Sequence, residues 1–252
     1  MSSILKTEKL CKSFSNGGVQ QHVIKNLDLE IVEGDFTVIM GASGSGKSTL
    51  LYALSGMDKP SMGKISFAGK EIQDYSNDQL AVFRRGNCGF VFQSIYLLEN
   101  QTVLDNVLTG ALIVQKNSTD LVAKAKNLLN KVGIKEELWN KYPNQLSGGE
   151  AQRVGIVRAA INDPKILFAD EPTGQLNSAS SNDVLDIFTE IHKNGQSIVM
   201  VTHDLKTALR GTRVLFLRDG CIAGEYRMKP YGTDGIKDRR TGLQNFLDEM
   251  GW

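Results

Sequence analysis

The chain has 252 residues, of which 41% are hydrophobic and 23% are charged, and its formal net charge is +1. This length and composition are typical of one large α/β domain, or of such a domain with an inserted lobe. The near-neutral charge disfavours nucleic acid as the main partner, and no apolar run approaches the roughly 18 residues that a membrane-spanning helix needs.

The first part of the chain predicts short β-strands. Apolar and polar residues alternate between about residues 4 and 39, and turn-forming residues interrupt them at positions 15–18 and 33–35. We expect these strands to form an antiparallel sheet beside the core of the fold.

A phosphate-binding loop follows the apolar run Phe36–Met40, which is typical of a buried strand. The loop and the helix start after it comprise Gly41, Ala42, Ser43, Gly44, Ser45, Gly46, Lys47, Ser48 and Thr49. Glycines permit positive φ, so that successive N–H groups point inward at a helix N-terminus. We therefore predict that Lys47 reaches the β- and γ-phosphates of a nucleotide and that the Ser48 hydroxyl is a ligand of Mg²⁺. A plain glycine-rich turn would not explain the Lys-Ser pair.

Helical periodicity characterises the middle of the chain. Between about residues 95 and 162, apolar residues recur at spacings of three and four, as at Leu121, Ala125, Leu128 and Val132. We predict a helical lobe inserted into the α/β core. The lobe closes with a loop that opens the next helix, Leu146-Ser147-Gly148-Gly149-Glu150.

Two continuous apolar runs, Ile166–Ala169 and Ile198–Val201, indicate parallel strands that are covered on both faces. Asp170 and Glu171 directly follow the first run, at the carboxyl end of the strand, where ligands bind in open α/β sheets. We predict that Asp170 is the carboxylate on the Mg²⁺ side and that Glu171 polarises the attacking water. The alternative is a solvated acidic pair before Pro172.

The last part of the chain predicts a hairpin and a terminal helix. The Asp-Gly pair in residues 218–220 is a hairpin signal, and Leu243, Phe246, Leu247 and Met250 lie at helical spacing. This helix either covers its own domain or contacts a partner. We expect one domain over residues 1–230, with a helical subdomain at about 95–162, and a C-terminal tail over 231–252 with a short docking helix.

Taken in order, these motifs resemble the ATP-binding cassette family, the nucleotide-binding subunits of ABC transporters. The resemblance covers nearly the whole chain, and its most specific element is the LSGGE signature at residues 146–150. It implies an α/β fold with a P-loop NTPase core and a mostly parallel sheet, an N-terminal antiparallel β subdomain and an inserted helical subdomain. It also implies ATP hydrolysis, with ATP and Mg²⁺ as cofactors.

The resemblance implies a dimer in which two copies face head to tail. Ser147, Gly148 and Gly149 of one copy then contact the γ-phosphate on the P-loop of the other, and Glu150 belongs to the same nucleotide site. The positive end of the helix dipole at this signature favours the triply charged end of ATP.

The resemblance also assigns roles to two isolated polar residues. Gln93 reaches Mg²⁺ and the attacking water, while its loop meets the membrane partner; Mg²⁺ is then held by Ser48, Gln93 and Asp170. His203 bonds the γ-phosphate and orients the base Glu171. Without the family, Gln93 would be an ordinary surface amide and His203 an ordinary residue at the end of a strand.

Two positions depart from the family pattern. Phe14 stands where the family usually has a tyrosine that stacks on adenine, and it keeps the aromatic face. The alternative is that Phe14 belongs to the core. Asn177 stands where the D-loop commonly ends in aspartate, so it keeps an acceptor and loses a charge, which predicts weaker communication between the subunits or slower turnover.

Within the family, residues 89–98, 153–159 and 170–174 resemble the branch for macrolide export, lipoprotein release and antimicrobial-peptide resistance. These systems pair the ATPase with a separate permease that moves antimicrobial peptides, drugs or lipid-linked substrates. We expect a cytoplasmic chain without a signal peptide, held on the inner face of the cell membrane by the permease. The C-terminal tail resembles those of the peptide-antibiotic subgroup.

Two other functions have different sequence requirements. A soluble ABC ATPase that acts on nucleic acid or ribosomes would carry a long coiled coil or a second cassette, and the chain has neither feature. An ATP-driven scaffold or signalling subunit without transport stays open at the level of sequence.

Overall fold

The structure, a computed structural model, describes residues 2–114, 118–232 and 235–252. The chain divides into two compact units. The first comprises the chain up to Arg84 and from His192 onward, and the second comprises Arg85–Ile191.

The strands in the described residues are β1 (Ser3–Asn16), β2 (Val19–Val32), β3 (Phe36–Met40), β4 (Met62–Phe67), β5 (Lys70–Glu71), β6 (Cys88–Phe92), β7 (Ile166–Asp170), β8 (Ser197–Val201), β9 (Arg213–Arg218) and β10 (Cys221–Arg227). The α-helices are α1 (Lys47–Leu54), α2 (Asn77–Asn87), α3 (Val103–Leu112), α4 (Ser118–Lys131), α5 (Glu136–Trp139), α6 (Gly148–Ala160), α7 (Ser178–Lys193), α8 (Leu205–Ala208) and α9 (Ile236–Glu249), and Pro143–Gln145 form a 3₁₀ turn.

An antiparallel sheet in the order β2-β1-β4-β5 forms one part of the first unit. Strands β1 and β2 have 14 residues each, so the prediction of short strands here was wrong. Their connection is only Gly17-Gly18, with φ of 56° and 84°. Because a two-residue turn with positive φ at both positions matches the twist of paired strands, the hairpin continues without the break that its turn residues suggested.

The second sheet of the first unit has the strand order β10-β9-β3-β8. Strand β3 pairs in parallel with both β8 and β9, and all five of its residues are buried. The predicted hairpin between β9 and β10 is confirmed, since Asp219 and Gly220 have φ of 50° and 82°. The carboxyl ends of β3 and β8 therefore lie next to each other, and each is followed by a predicted site residue.

In the second unit, β6 pairs in parallel with β7, and helices α3 to α6 surround one apolar cluster. The buried members of that cluster are Val103, Val107, Ala111, Leu121, Ala125, Leu129, Ile134, Trp139, Val154, Val157 and Ile161. The buried stripe of α4 runs through Leu129, whereas the predicted stripe members Leu128 and Val132 are only half-buried. The limits of the helical subdomain at about 95–162 stay a prediction.

Helix α9 packs on the first unit. Its apolar residues Leu243 and Leu247 are fully buried, and Phe246 stacks on Tyr226 with 5.4 Å between the ring centroids. Arg239, which is also in α9, is buried. Its guanidinium donates hydrogen bonds to backbone carbonyls, including those of Leu209 and Lys229 at 2.6 Å each. The helix thus covers its own unit, as one of the two sequence alternatives proposed. The division of the chain at residue 230 stays a prediction.

Among the helices that the structure describes, none is long and apolar enough to cross a membrane.

Candidate functional site

The loop between β3 and α1 has the backbone that the glycine pattern predicts. Gly44 and Gly46 have φ of 79° and 100°, and Gly46 is the N-cap of α1. A Cβ at Gly41 would lie 2.2 Å from the carbonyl oxygen of Leu217, and one at Gly46 would lie 3.0 Å from the side chain of Val23. Glycine is therefore required both for conformation and for close approach.

The polar groups of this loop suit an anion. Lys47 is 9% exposed, and its ammonium donates hydrogen bonds to the carbonyls of Gly41 and Ala42 at 2.9 Å each. The hydroxyl oxygen of Ser45 is buried, and no residue that the structure describes hydrogen-bonds to it. The first turn of α1 carries no acidic side chain. A buried hydroxyl that lacks a protein partner inside a glycine loop fits a phosphate group.

Two further predicted residues belong to the same unit. Phe14 on β1 is 45% exposed, so the alternative that it belongs to the core is wrong. His203 follows β8 and the buried Thr202, and it is exposed. Asp204, the next residue, caps α8 by accepting a hydrogen bond from the Thr207 N–H at 2.8 Å, which fixes the chain direction at His203.

In the second unit, Gln93, Asp170 and Glu171 come together. Asp170 ends β7, is 9% exposed and is paired in register with Phe92, the residue before Gln93. The side-chain nitrogen of Gln93 also lies against the turn after Glu171, since a Cβ at Gly174 would be 2.8 Å from it. Glu171 has φ of 45°, which is a strained conformation for a residue other than glycine.

The signature motif forms a capping box at the start of α6. The Ser147 hydroxyl accepts a hydrogen bond from the Glu150 N–H at 3.3 Å, and the Glu150 carboxylate accepts from the Ser147 N–H and hydroxyl at 2.8 Å each. The hydrogen bond from the Ser147 backbone, and then that from its hydroxyl, lowers the pKa of Glu150. The box leaves the first turn of the helix as Gly148-Gly149, without side chains above its N–H groups.

The glycines of the signature also set how closely α6 packs on the segment that starts α7. A Cβ at Gly149 would lie 2.7 Å from the Ser180 hydroxyl, and one at Gly148 would lie 3.4 Å from the side chain of Leu176. Asn177 uses its side-chain oxygen to accept a hydrogen bond from the Ser180 N–H at 2.9 Å. Asn177 thus caps α7 in the way an aspartate would, so the departure from the family pattern leaves the local fold intact.

Sequence reasoning gave no role to two buried polar residues that shape the site. Gln152 is 1% exposed and donates a hydrogen bond to the Phe92 carbonyl at 3.1 Å, which ties the signature helix to the residue before Gln93. Asn106 is equally buried and bonds to the loop that follows Gln93. Polar residues on otherwise apolar helix faces are the one signal that could have indicated them.

Comparison with known proteins bears on this arrangement directly. The model of the ABC transporter family matches residues 24–174. The lipoprotein-releasing system ATP-binding protein LolD of Aquifex aeolicus is 43% identical over 226 residues, which cover 89% of this chain and 98% of LolD. The chain belongs to the ABC transporter family. This ABC cassette is also 42% identical over 229 residues to the macrolide export ATP-binding/permease protein MacB of Pectobacterium atrosepticum, a match that covers 91% of the cassette but only 35% of MacB.

Among solved structures, the dimeric post-hydrolysis state of the ATP-binding cassette MJ0796, bound to ADP and Pi, matches with a TM-score of 0.83 and 34% identity. The match covers 90% of this cassette and 100% of that chain. The predicted α/β fold, with its antiparallel sheet, mostly parallel sheet and helices, is thereby confirmed. The cassette is an ATP-binding subunit of the MacB and LolD type, and it hydrolyses ATP.

Proposed function

We propose that this cassette uses Mg²⁺ and ATP to power a separate membrane permease, and that it works as a dimer of two copies. The observation that carries the proposal is the pairing of a phosphate loop with a signature helix whose capping box leaves its first turn open. Each of these elements favours a phosphate group, and one nucleotide has enough phosphates to engage both.

Magnesium would be held by Ser48, Gln93 and Asp170. The donor set of a hydroxyl, an amide oxygen and a carboxylate suits Mg²⁺, which prefers oxygen ligands. Asp170 ends a buried strand at 9% exposure, which is a suitable position for a carboxylate that faces a cation. When bound, the ion neutralises the charge that develops on the β- and γ-phosphates.

Hydrolysis would use Glu171 as the base. Water attacks the γ-phosphorus, its proton passes to the Glu171 carboxylate, and the bond to the bridging oxygen breaks, which yields ADP and phosphate. The backbone at Glu171 is held at φ of 45°, and strain of this kind persists where surrounding structure fixes a functional side chain. His203 would orient this base and bond the γ-phosphate, from its position after β8.

The second copy would supply Ser147, Gly148 and Gly149 to the γ-phosphate. In the capping box, the Glu150 carboxylate accepts hydrogen bonds from Ser147. Glu150 would therefore affect the nucleotide indirectly, by fixing the conformation of this helix end. Loss of the γ-phosphate removes the group that both copies contact, and the dimer then opens. The MJ0796 cassette bound to ADP and Pi is dimeric, which supports the same assembly here.

The loop after Gln93 would bind the permease. It presents Tyr96, which is 69% exposed, and Leu98, which is 45% exposed. The Asn106 side chain holds the loop through the Leu98 N–H at 2.7 Å and its carbonyl at 3.1 Å. Arg158 donates to the carbonyls of Ile95 and Tyr96 at 2.7 and 2.5 Å. Large apolar side chains on a rigidly held exposed loop favour a protein partner.

The transported substrate would be an antimicrobial peptide, a drug or a lipid-linked molecule that is exported or removed from the membrane. LolD is named for lipoprotein release, and MacB is named as both the ATP-binding protein and the permease of macrolide export. The cassette matches about a third of MacB, and we place its permease in a second chain, which spans the cell membrane and holds the cassette on the inner face.

The sandwich is tested by gel filtration of a Glu171→Gln variant with ATP. We expect ATP turnover to fall at least a hundredfold, since general base catalysis contributes about 10² to 10⁴, while ATP drives the variant to a dimer. Adding Gly148→Asp in the same background places a negative charge at the signature and should abolish the dimer without abolishing ATP binding. A variant that stays monomeric with saturating ATP contradicts the proposed assembly.

The proposed permease-binding loop after Gln93 is tested by Tyr96→Asp in the presence of the permease. The variant should keep the ATPase rate of the isolated cassette and lose both the stimulation by permease and substrate movement. Val19→Asp, at an apolar position that is 72% exposed on the β1–β2 hairpin, is the matched control and should lose neither. Permease-stimulated ATP turnover with no substrate movement in the native pair would favour a scaffold role.

A further inference from the structure

Lys12 is a buried lysine that lies against the ring of Phe14. The residue is 9% exposed, and its ammonium nitrogen is 5.0 Å from the ring centroid. Phe14, two residues further along β1, is 45% exposed, so a buried cation covers part of an aromatic ring that is otherwise open to solvent. This distance is within the range at which a cation is attracted to the face of an aromatic ring.

Other contacts fix the ammonium group in this place. It forms an ion pair with the Asp58 carboxylate at 2.7 Å and donates a hydrogen bond to the carbonyl of Lys59 at 2.8 Å. These two partners offset the cost of burying the charge. Because they come from the chain after α1 rather than from β1 itself, they hold Lys12 independently of Phe14.

Lys12 is also connected to the phosphate loop. It pairs with Ile24 on β2, and the register then shifts past Val23, so that Val23 is a bulged residue. A Cβ on Gly46 would lie 3.0 Å from Val23 and 3.1 Å from Ile24. The β1–β2 hairpin, which carries Phe14, therefore packs against the glycine at the start of α1, within the same unit.

We propose that Lys12 is a positioning residue for the nucleotide base: it holds the Phe14 ring in place and withdraws π-electron density from it. Adenine stacks on the exposed part of the ring, and a ring with less electron density repels the π-cloud of the base less. This inference rests on the proposed function and on the stacking of adenine on Phe14, which the resemblance to the family predicts. It predicts that Lys12 affects binding of the base and leaves binding of the phosphates unchanged.

The test is calorimetric titration of the full chain with ADP and with inorganic pyrophosphate, which share the diphosphate and differ by the adenosine. Lys12→Met should weaken ADP binding about fivefold or more and pyrophosphate binding by less than about twofold. Lys12→Arg should bind ADP with the affinity of the wild type, since a guanidinium also stacks on aromatic faces. Lys12→Gln, which keeps a donor for the Lys59 carbonyl, is titrated in parallel and should bind both ligands as Lys12→Met does. If one of these two variants fails to fold, the other still tests the inference.

Phe14→Ala separates this inference from the function on which it rests. If Phe14→Ala leaves ADP and pyrophosphate binding unchanged, stacking on Phe14 is wrong and the role of Lys12 is wrong with it. If Phe14→Ala weakens only ADP while the Lys12 variants bind ADP as the wild type does, stacking stands and the inference is overturned. Equal weakening of ADP and pyrophosphate in a folded Lys12 variant also overturns it, because the lysine would then support the phosphate loop.

Discussion

At the scale of single residues, Glu171 combines a proposed role as the catalytic base with an unfavourable backbone conformation. Its φ of 45° lies in the left-handed region, which costs a residue with a Cβ about 1–2 kcal/mol. We predict that Glu171→Gly is more stable than Glu171→Ala by about 1 kcal/mol, since both variants lack the carboxylate and only glycine relieves the strain. Urea unfolding of the two variants measures the difference.

A matched pair at Glu190, an exposed position in α7, serves as the control. There the backbone is helical, so the order reverses and glycine is the less stable variant by about 1 kcal/mol. If the glycine and alanine variants had the same order of stability at both positions, backbone strain at Glu171 would be contradicted.

Glu150 gives a prediction about pH. Hydrogen bonds from the Ser147 N–H and hydroxyl lower the pKa of Glu150, so its folded value lies below its unfolded value. The stabilisation is therefore complete above the unfolded value of about 4.3 and is lost as the pH falls through the lower folded value. We expect Glu150→Gln, which keeps an acceptor without the charge, to be less stable than the wild type at pH 7, by no more than about 1 kcal/mol because the group is partly exposed.

Thermal unfolding at pH 7 and below pH 4 checks this expectation. The difference between wild type and Glu150→Gln should shrink as the pH falls through the lowered pKa of Glu150 in the folded state, because protonation removes the charge of the wild-type carboxylate. A difference that is independent of pH would place the effect in packing instead of charge.

At the scale of elements, the contact of α6 with α7 depends on a missing side chain. A Cβ at Gly149 would lie 2.7 Å from the Ser180 hydroxyl, whereas one at Gly148 would be at an ordinary 3.4 Å from Leu176. We predict that Gly149→Ala destabilises the cassette by about 1–3 kcal/mol through overpacking and that Gly148→Ala changes stability little. Chemical denaturation measures both.

The double variant Gly149→Ala with Ser180→Gly removes the atoms that the new methyl group meets. It should recover most of the lost stability relative to Ser180→Gly alone. If Gly149→Ala is as stable as the wild type, the two helices are free to move apart, and the close packing has no energetic consequence.

Much of the element order could be predicted because local signals and tertiary structure agree. The Asp219-Gly220 pair gave the β9–β10 hairpin, and the apolar run before Asp170 gave a buried strand that ends at this residue. Where local signals were ambiguous, prediction was wrong: the Gly17-Gly18 turn reads equally as a break between short strands or as a tight hairpin between two long ones. Strand β1 pairs with β2 from Ser3 to Asn16, and this pairing, which sequence periodicity does not encode, is that of the tight hairpin.

The candidate site could be predicted as a set of residues but not as a set of contacts. Motif spacing predicted Lys47 and Glu171, because each chemistry needs a particular residue type at the start of a helix or the end of a strand, and the resemblance to the family predicted Gln93. The positive φ of Glu171 and the lysine beside Phe14 depend on elements distant in sequence. No pattern of neighbouring residues in the sequence indicates these two features.

At the scale of the whole molecule, charge contributes little to the choice of partner. The 29 lysine and arginine residues nearly balance the 28 aspartate and glutamate residues, so no long-range field directs the chain to nucleic acid. Recognition must then depend on local surfaces, such as the apolar loop with Tyr96 and Leu98. This is consistent with a partner that is a protein in the membrane.

The last described residues of the chain lie beside its nucleotide loop, which gives a prediction for the molecule as a whole. A cavity of about 350 Å³ is lined by residues 42–45 of the loop, residues 216–219 and residues 250–252. The Arg218 side chain donates a hydrogen bond to the Met250 carbonyl at 3.1 Å and so holds this end in place. Trp252, which is 42% exposed, therefore borders the loop that is predicted to bind the phosphates.

We predict that ADP changes the tryptophan emission of the wild type and that Trp252→Phe removes the change without weakening ADP binding. Phosphates bring negative charge and displace water near the indole, and indole emission responds to both. Pyrophosphate should produce the same change, because the cavity borders the phosphate loop and not Phe14. If the change persists in Trp252→Phe, it originates from Trp139 in the second unit. Nucleotide binding would then alter the helical cluster, and the contact between the chain end and the loop would have no part in the response.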